Sequence, residues 1–147
     1  MKIAIASDHR GFDAKRKLLP MLKRWGHEVQ DFGCDNTSSC DYVDFAAPAA
    51  RSVARGENEA AILLEGSGIG MSITANKVHG IRAALIHDEV TARRAREHHH
   101  CNALCLGAEL LSEEQIRNIV EIFLTATFQD GRHRARIAKV MKIEEEG

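Results

Sequence analysis

Aromatic side chains are scarce in this sequence of 147 residues, which has one Trp, one Tyr and five Phe. That argues against a platform on which nucleobases stack. Positive charge is not in excess either: 20 Lys and Arg stand against 21 Asp and Glu, for a net charge of −1. No bulk field therefore draws the chain to nucleic acid or to an anionic membrane. No stretch approaches about 18 uninterrupted apolar residues, and the N-terminus lacks the pattern of a secretory leader. The expected location is the cytoplasm. Two nucleotide-loop signatures are missing as well. No Gly-Lys-Ser/Thr follows the glycine cluster at 66–70, and Met71 stands where the last glycine of a dinucleotide fingerprint would fall.

What remains is an ordinary composition, 44% hydrophobic and 28% charged, with enough chain for one domain over residues 1–147. Four cysteines invite a metal reading, because Cys101 and Cys105 follow His98-His99-His100. Cys105, however, lies in the apolar run Ala103-Leu104-Cys105-Leu106, where a small buried thiol is the simpler role. No metal site is expected. Cys34 and Cys40 bracket a polar loop and read as free thiols in a reducing compartment.

Apolar runs and helical periodicities alternate along the chain. Lys2 to Ser7 reads as a buried strand, Gly11 to Trp25 as an amphipathic helix closed by Gly26, and Glu28 to Phe32 as a second strand. Pro20 is expected to kink the first helix or to mark its boundary. Asp41 to Arg55 forms an alanine-rich helix. Ala60 to Leu64 is a third strand, Ile81 to Ile86 a fourth and Ala103 to Leu106 a fifth. Asp88 suits the N-cap of the helix through Glu97. Ser112-Glu113-Glu114-Gln115 is a capping box, and a basic segment from Arg132 opens the last helix. Such alternation predicts an α/β fold: a three-layer, Rossmann-like arrangement with a five-stranded parallel sheet and a C-terminal helix. Ligands of such folds gather at the C-terminal ends of the strands. That rule selects Asp8-His9, the segment from Glu65 to Gly70, and the residues after the fourth strand.

Gly66-Ser67-Gly68-Ile69-Gly70 follows the third strand and opens a helix. Alternate glycines let the backbone turn sharply and point N–H groups outward at the helix start, forming a cup for a phosphate, a carboxylate or an enediolate. Glu65 stands at its lip as a candidate base. The plainer alternative is a turn that only lets the helix pack close to its strand. Other candidates carry plain alternatives too: Asp8 as a cap for nearby N–H groups, His98 to His100 as a polar helix terminus, and Arg132 with Arg136 as a solvated basic face.

Taken together and in this order, Ser7 to Phe12, Asp41-Tyr42, Gly66 to Gly70 with Ala75-Asn76-Lys77, and Gly131-Arg132-His133-x-x-Arg136 resemble the type B ribose-5-phosphate isomerase family, which includes the galactose-6-phosphate isomerase subunits. The resemblance runs from Met1 to about Ile143. It implies a cofactor-free aldose–ketose isomerase of a phosphorylated sugar, ribose 5-phosphate to ribulose 5-phosphate. It also implies a homodimer or homotetramer with active sites shared between subunits. Under it, Asp8 and His9 contact sugar hydroxyls or phosphate and Tyr42 lines the pocket. Ser67 assists the acid–base step, and the N–H groups of Gly66, Gly68, Ile69 and Gly70 stabilise the enediolate. His98 opens the sugar ring, Asn102 bonds the sugar, and Arg132 and Arg136 grip the phosphate.

Three positions depart from the pattern. Many relatives carry a cysteine base where Glu65 stands, and others have a glutamate at the position of Met71. His99 replaces a usual asparagine, and Glu109 replaces a common phosphate-holding arginine. A carboxylate can accept a carbon-bound proton as a thiolate does, so Glu65 is expected to be the base. Glu109 is expected to pair with His99 or with an arginine of a neighbouring subunit. The alternatives are a catalytically silent sugar-phosphate-binding subunit and an isomerase of a different sugar derivative.

Overall fold

Side chains of a strand alternate between its two faces, and this sheet uses the alternation to build two unlike layers. In the computed structural model, which describes residues 1–147, the strands are β1 (Lys2–Ser7), β2 (Glu28–Asp31), β3 (Ala60–Glu65), β4 (Ala83–Leu85) and β5 (Ala103–Gly107). Between and after them come α1 (Phe12–Arg24), α2 (Tyr42–Ala54), α3 (Ile69–Asn76), α4 (Glu89–Glu97), α5 (Glu113–Thr125) and α6 (Arg132–Glu146). The sheet order is β2-β1-β3-β5-β4, and every pairing is parallel. No helix is long and apolar enough to cross a membrane.

Ile3, Ile5, Ile62, Leu64, Leu104 and Leu106 share one buried cluster with Leu18 and Leu22 of α1, Ala92 and Ala95 of α4, and Ile116, Ile119 and Phe123 of α5. The intervening residues Ala4, Ala6, Ala61, Leu63, Ala103 and Cys105 pack against Ala46, Ala49 and Ala50 of α2 and Met71 and Ala75 of α3. Small side chains on that second face let α2 and α3 lie close to the sheet. This closeness carries α3 up to the ends of β3 and β5.

Local signals place the helix ends. Asp88 accepts the Thr91 N–H at 2.7 Å, and Ser112 with Gln115 closes its box with bonds of 2.8 and 3.1 Å. Gly26, at φ +89°, ends α1 and donates to the Lys23 carbonyl at 3.0 Å. Pro20 does not end α1, which continues to Arg24 with the proline on its exposed side. An exposed position lets water satisfy the carbonyl that lost its N–H partner. β4 is shorter than the run Ile81 to Ile86 suggests, because this edge strand pairs with β5 alone over Ala83 to Leu85.

One buried charge was not foreseen. Lys15 of α1 is almost wholly enclosed, and its Nζ donates to Asp31 Oδ1 at 2.8 Å and to the Cys34 carbonyl. It thereby ties α1 to the end of β2 and to the loop that leads to Cys40 and Tyr42.

Candidate active site

The C-terminal ends of β1, β3 and β5 lie side by side, with Ser7 opposite Leu64 and Glu65 opposite Gly107. Glu65, the last residue of β3, is buried. Its side chain turns back over the loop, and Oε1 accepts the Met71 N–H at 3.1 Å. The carboxylate is thus seated at the start of α3, where the helix dipole favours negative charge. Gly68, the N-cap, has φ +78°, and a Cβ there would meet Leu85 Cδ1 at 2.7 Å and the Leu106 carbonyl carbon at 2.8 Å. Only glycine fits both the backbone and the space. Ser67 Oγ accepts the Ile69 N–H at 3.2 Å. The N–H groups of Gly66, Ser67, Gly68 and Gly70 find no acceptor within the chain, so they are left as open donors along the loop, whereas the Ile69 N–H, expected to join them, is taken by Ser67.

The loop after β1 forms the second wall. Asp8 is buried, and its Oδ1 accepts the N–H groups of Arg10 and Gly11 at 2.9 and 3.0 Å. It caps the turn into α1, as its plain alternative supposes, and the next residue, His9, is half-buried. His9 Nδ1 lies 3.3 Å from the Cys40 N–H. An N–H can only donate, so Nδ1 is the acceptor and a neutral ring carries its proton on Nε2. Tyr42, the first residue of α2, supplies the third wall. Its ring lies over Gly70, where an added Cβ would come within 2.5 Å of Tyr42 Cζ.

A second cluster sits elsewhere. His98 caps the C-terminal end of α4 and stacks on His133 of α6, with ring centroids 4.3 Å apart and planes within 8°. Arg132 and Arg136 flank His133 on α6, both exposed and both contributing, after burial, to a lowered His133 pKa. Asn102 precedes β5, where its amide donates to the Gly80 carbonyl at 2.9 Å and accepts the Arg82 N–H at 2.8 Å. Nearby, burial pushes the Cys101 thiol up to about 11.

The two clusters occupy opposite ends of the sheet. α4 leaves the C-terminal end of β4 and returns to the start of β5, so its nine residues, a helix about 13 Å long, carry His98 toward the opposite end of the sheet from the cup. The structure therefore brings together Asp8, His9, Tyr42, Glu65, Gly66, Ser67, Gly68, Ile69 and Gly70. It holds His98, Asn102, Arg132 and Arg136 apart from them.

Sequence reasoning gave no site role to Arg10, Cys40 or His133, and it did not foresee the partner Glu109 has within its own chain. Within the chain, Glu109 Oε1 meets Arg10 Nη1 at 3.0 Å, and its partner here is not His99. The strand-end rule could have found the pair, since Arg10 follows β1 and Glu109 follows β5.

A parallel α/β sheet with a carboxylate seated beside open helix-start amides defines a class: enzymes that move protons on an anionic substrate. Comparison with known proteins is more specific. The ribose/galactose isomerase model matches residues 3–140, and the chain belongs to that family of isomerases. It is 37% identical over 144 residues to ribose-5-phosphate isomerase B of Escherichia coli, covering 98% of this chain and 97% of that one. Ribose-5-phosphate isomerase B of Clostridium thermocellum superposes with a TM-score of 0.98 at 44% identity, over 99% of each chain. The Mycoplasma genitalium enzyme with bound ribulose 5-phosphate superposes with a TM-score of 0.95 at 38% identity, over 99% of this chain and 97% of that one.

Proposed function

We propose that this isomerase interconverts ribose 5-phosphate and ribulose 5-phosphate, without a cofactor, through an enediolate formed by Glu65. The observation that carries the proposal is the Glu65 carboxylate, buried and bonded to the Met71 N–H at 3.1 Å beside the free amides of Gly68 and Gly70. In the open-chain aldose, Glu65 removes the C2 proton and the C–H electron pair becomes the C1–C2 double bond. The C1 carbonyl π pair moves onto O1, and the resulting oxyanion is met by the two amides. The proton returns from Glu65 to C1 while the O2 hydroxyl loses its own proton and becomes the ketone. Ser67 Oγ, held beside the cup, relays that proton between O2 and O1.

Ring opening and phosphate binding need the second cluster. His98, Arg132 and Arg136 lie at the far end of the sheet from Glu65, so a second copy of the chain completes each site. In a two-fold dimer, one copy would offer Asp8, His9, Tyr42 and the cup, and the other would offer His98 and the two arginines. Arg132 and Arg136 are four apart on α6, which puts both on one face for a dianionic phosphate.

The relatives named as ribose-5-phosphate isomerases, and the one holding ribulose 5-phosphate, support this substrate. The experiment is incubation of the purified protein with ribose 5-phosphate in deuterated water. Formation of ribulose 5-phosphate with solvent deuterium at C1 supports the reaction. Tight binding of pentose and hexose phosphates with no turnover of any would establish the silent-subunit alternative instead.

A further inference from the structure

Arg10 and Glu109 bridge the mouth of the cup, joining the loop after β1 to the loop after β5 directly above Gly66. Both backbones are fixed. The Arg10 N–H is held by buried Asp8 at 2.9 Å, and the Glu109 N–H by the Gly66 carbonyl at 3.1 Å. Gly66 seats the pair, since a Cβ there would stand 3.0 Å from Arg10 Cδ and 3.2 Å from the Glu109 carboxyl carbon. More than half of each side chain is exposed, and an exposed pair of this kind adds little stability. A device this well placed and this weakly stabilising has another use.

The mode of pairing shows what it is. Two other surface pairs, Arg55 with Glu57 and Arg134 with Asp130, spend both the Nε and the Nη2 edge of the arginine on the carboxylate. Arg10 gives Glu109 only Nη1. Its Nε–Nη2 fork, the edge that matches two oxygens of a phosphate, stays open.

We propose that Arg10 is the substrate-binding residue through which the Glu65-bearing subunit meets the phosphate terminus, and that Glu109 is its positioning residue. This deepens the isomerase reading above and rests on it. The phosphate is then held from two sides, by Arg10 of one copy and by Arg132 and Arg136 of the other. Glu109 keeps the guanidinium over the cup by holding its outer nitrogen, and the fork faces the ligand.

The test measures inorganic phosphate binding by calorimetry, alongside ribose 5-phosphate kinetics, for the unaltered protein, Arg10→Ala, Arg10→Lys and Arg10→Ala/Glu109→Gln. Unchanged circular dichroism and melting establish that each variant is folded. Arg10→Ala is expected to weaken phosphate binding about tenfold or more, with the kinetic loss falling on KM more than on kcat. Arg10→Lys restores only part of the affinity, since a point charge lacks the fork. Arg10→Ala/Glu109→Gln binds phosphate more tightly than Arg10→Ala, because the bare Glu109 carboxylate no longer repels the anion. Phosphate affinity unchanged in folded Arg10→Ala overturns the proposal. Failure of the unaltered protein to turn over any sugar phosphate would sink the isomerase reading, and the calorimetry would still decide the role of Arg10.

Discussion

The ring of Tyr42 fills the space that a side chain on Gly70 would need: an added Cβ would fall 2.5 Å from Tyr42 Cζ and 2.6 Å from Cε2. The glycine at this position serves a contact, and its φ is not in the left-handed region. Gly70→Ala must therefore displace Tyr42 from its place over the cup, and the overpacking is expected to cost about 1–3 kcal/mol of stability. It is expected to lower kcat/KM for ribose 5-phosphate. Adding Gly70→Ala to Tyr42→Ala should cost little further, and a double-variant cycle in melting and kinetics checks this coupling.

The separation of Glu65 from His98 makes a prediction about mixed subunits. Glu65→Gln and His98→Asn homomers should each be inactive. In the two-fold dimer proposed above, refolding them together in equal amounts gives mixed pairs in which one site carries both defects and the other none, so about a quarter of the unaltered activity is expected to return. A site contained within one chain would recover nothing.

The layer structure was legible in the sequence because each strand and helix announces itself locally. Ala60 to Leu64 is apolar throughout, Ser112 and Gln115 form their box three residues apart, and Gly26 stops α1. The cup was legible for the same reason, since Glu65 to Gly70 is one continuous segment. What escaped depends on distant segments meeting. Nothing in the helical run from Gly11 to Trp25 marks Lys15 as buried; Asp31 and the Cys34 carbonyl, from later segments, close on it. Arg10 and Glu109 lie 99 residues apart. The split of the candidate residues into two clusters follows from the direction in which α4 runs, which no single motif reports.

Lys15 supplies a stability prediction. Lys15→Met keeps the stem and its packing but removes the bonds to Asp31 and to the Cys34 carbonyl. Loss of that pair of interactions should cost about 1–3 kcal/mol, read as a lower urea midpoint at unchanged slope. The loop that carries Cys40 and leads to Tyr42 should loosen as well, visible as faster amide exchange over residues 34–41.

Histidine protonation gives a pH dependence with a definite sign. Burial is the first cause of a lowered pKa at His27, His100 and His133. The chain's own positive charges add to it: the N-terminal ammonium at His27, Arg96 and Arg82 at His100, and the His98 ring with Arg132 and Arg136 at His133. Each group binds protons less readily folded than unfolded, so the unfolded chain holds more protons just below the ordinary histidine pKa of about 6.5. Stability is therefore full above that pH and is lost as pH falls toward the folded values. Melting temperatures measured from pH 7.5 down to 5.5 should decline, and His133→Asn should flatten the decline.

The most direct measurement compares steady-state turnover of ribose 5-phosphate by Glu65→Gln and Glu65→Cys. The glutamine can still accept the Met71 N–H, so the fold is kept while the base is lost, and turnover should fall by about 10²- to 10⁴-fold. The cysteine restores a group able to take a carbon-bound proton and should recover much of that loss. A folded Glu65→Gln that isomerises at the unaltered rate would contradict the assignment of Glu65 as the proton carrier.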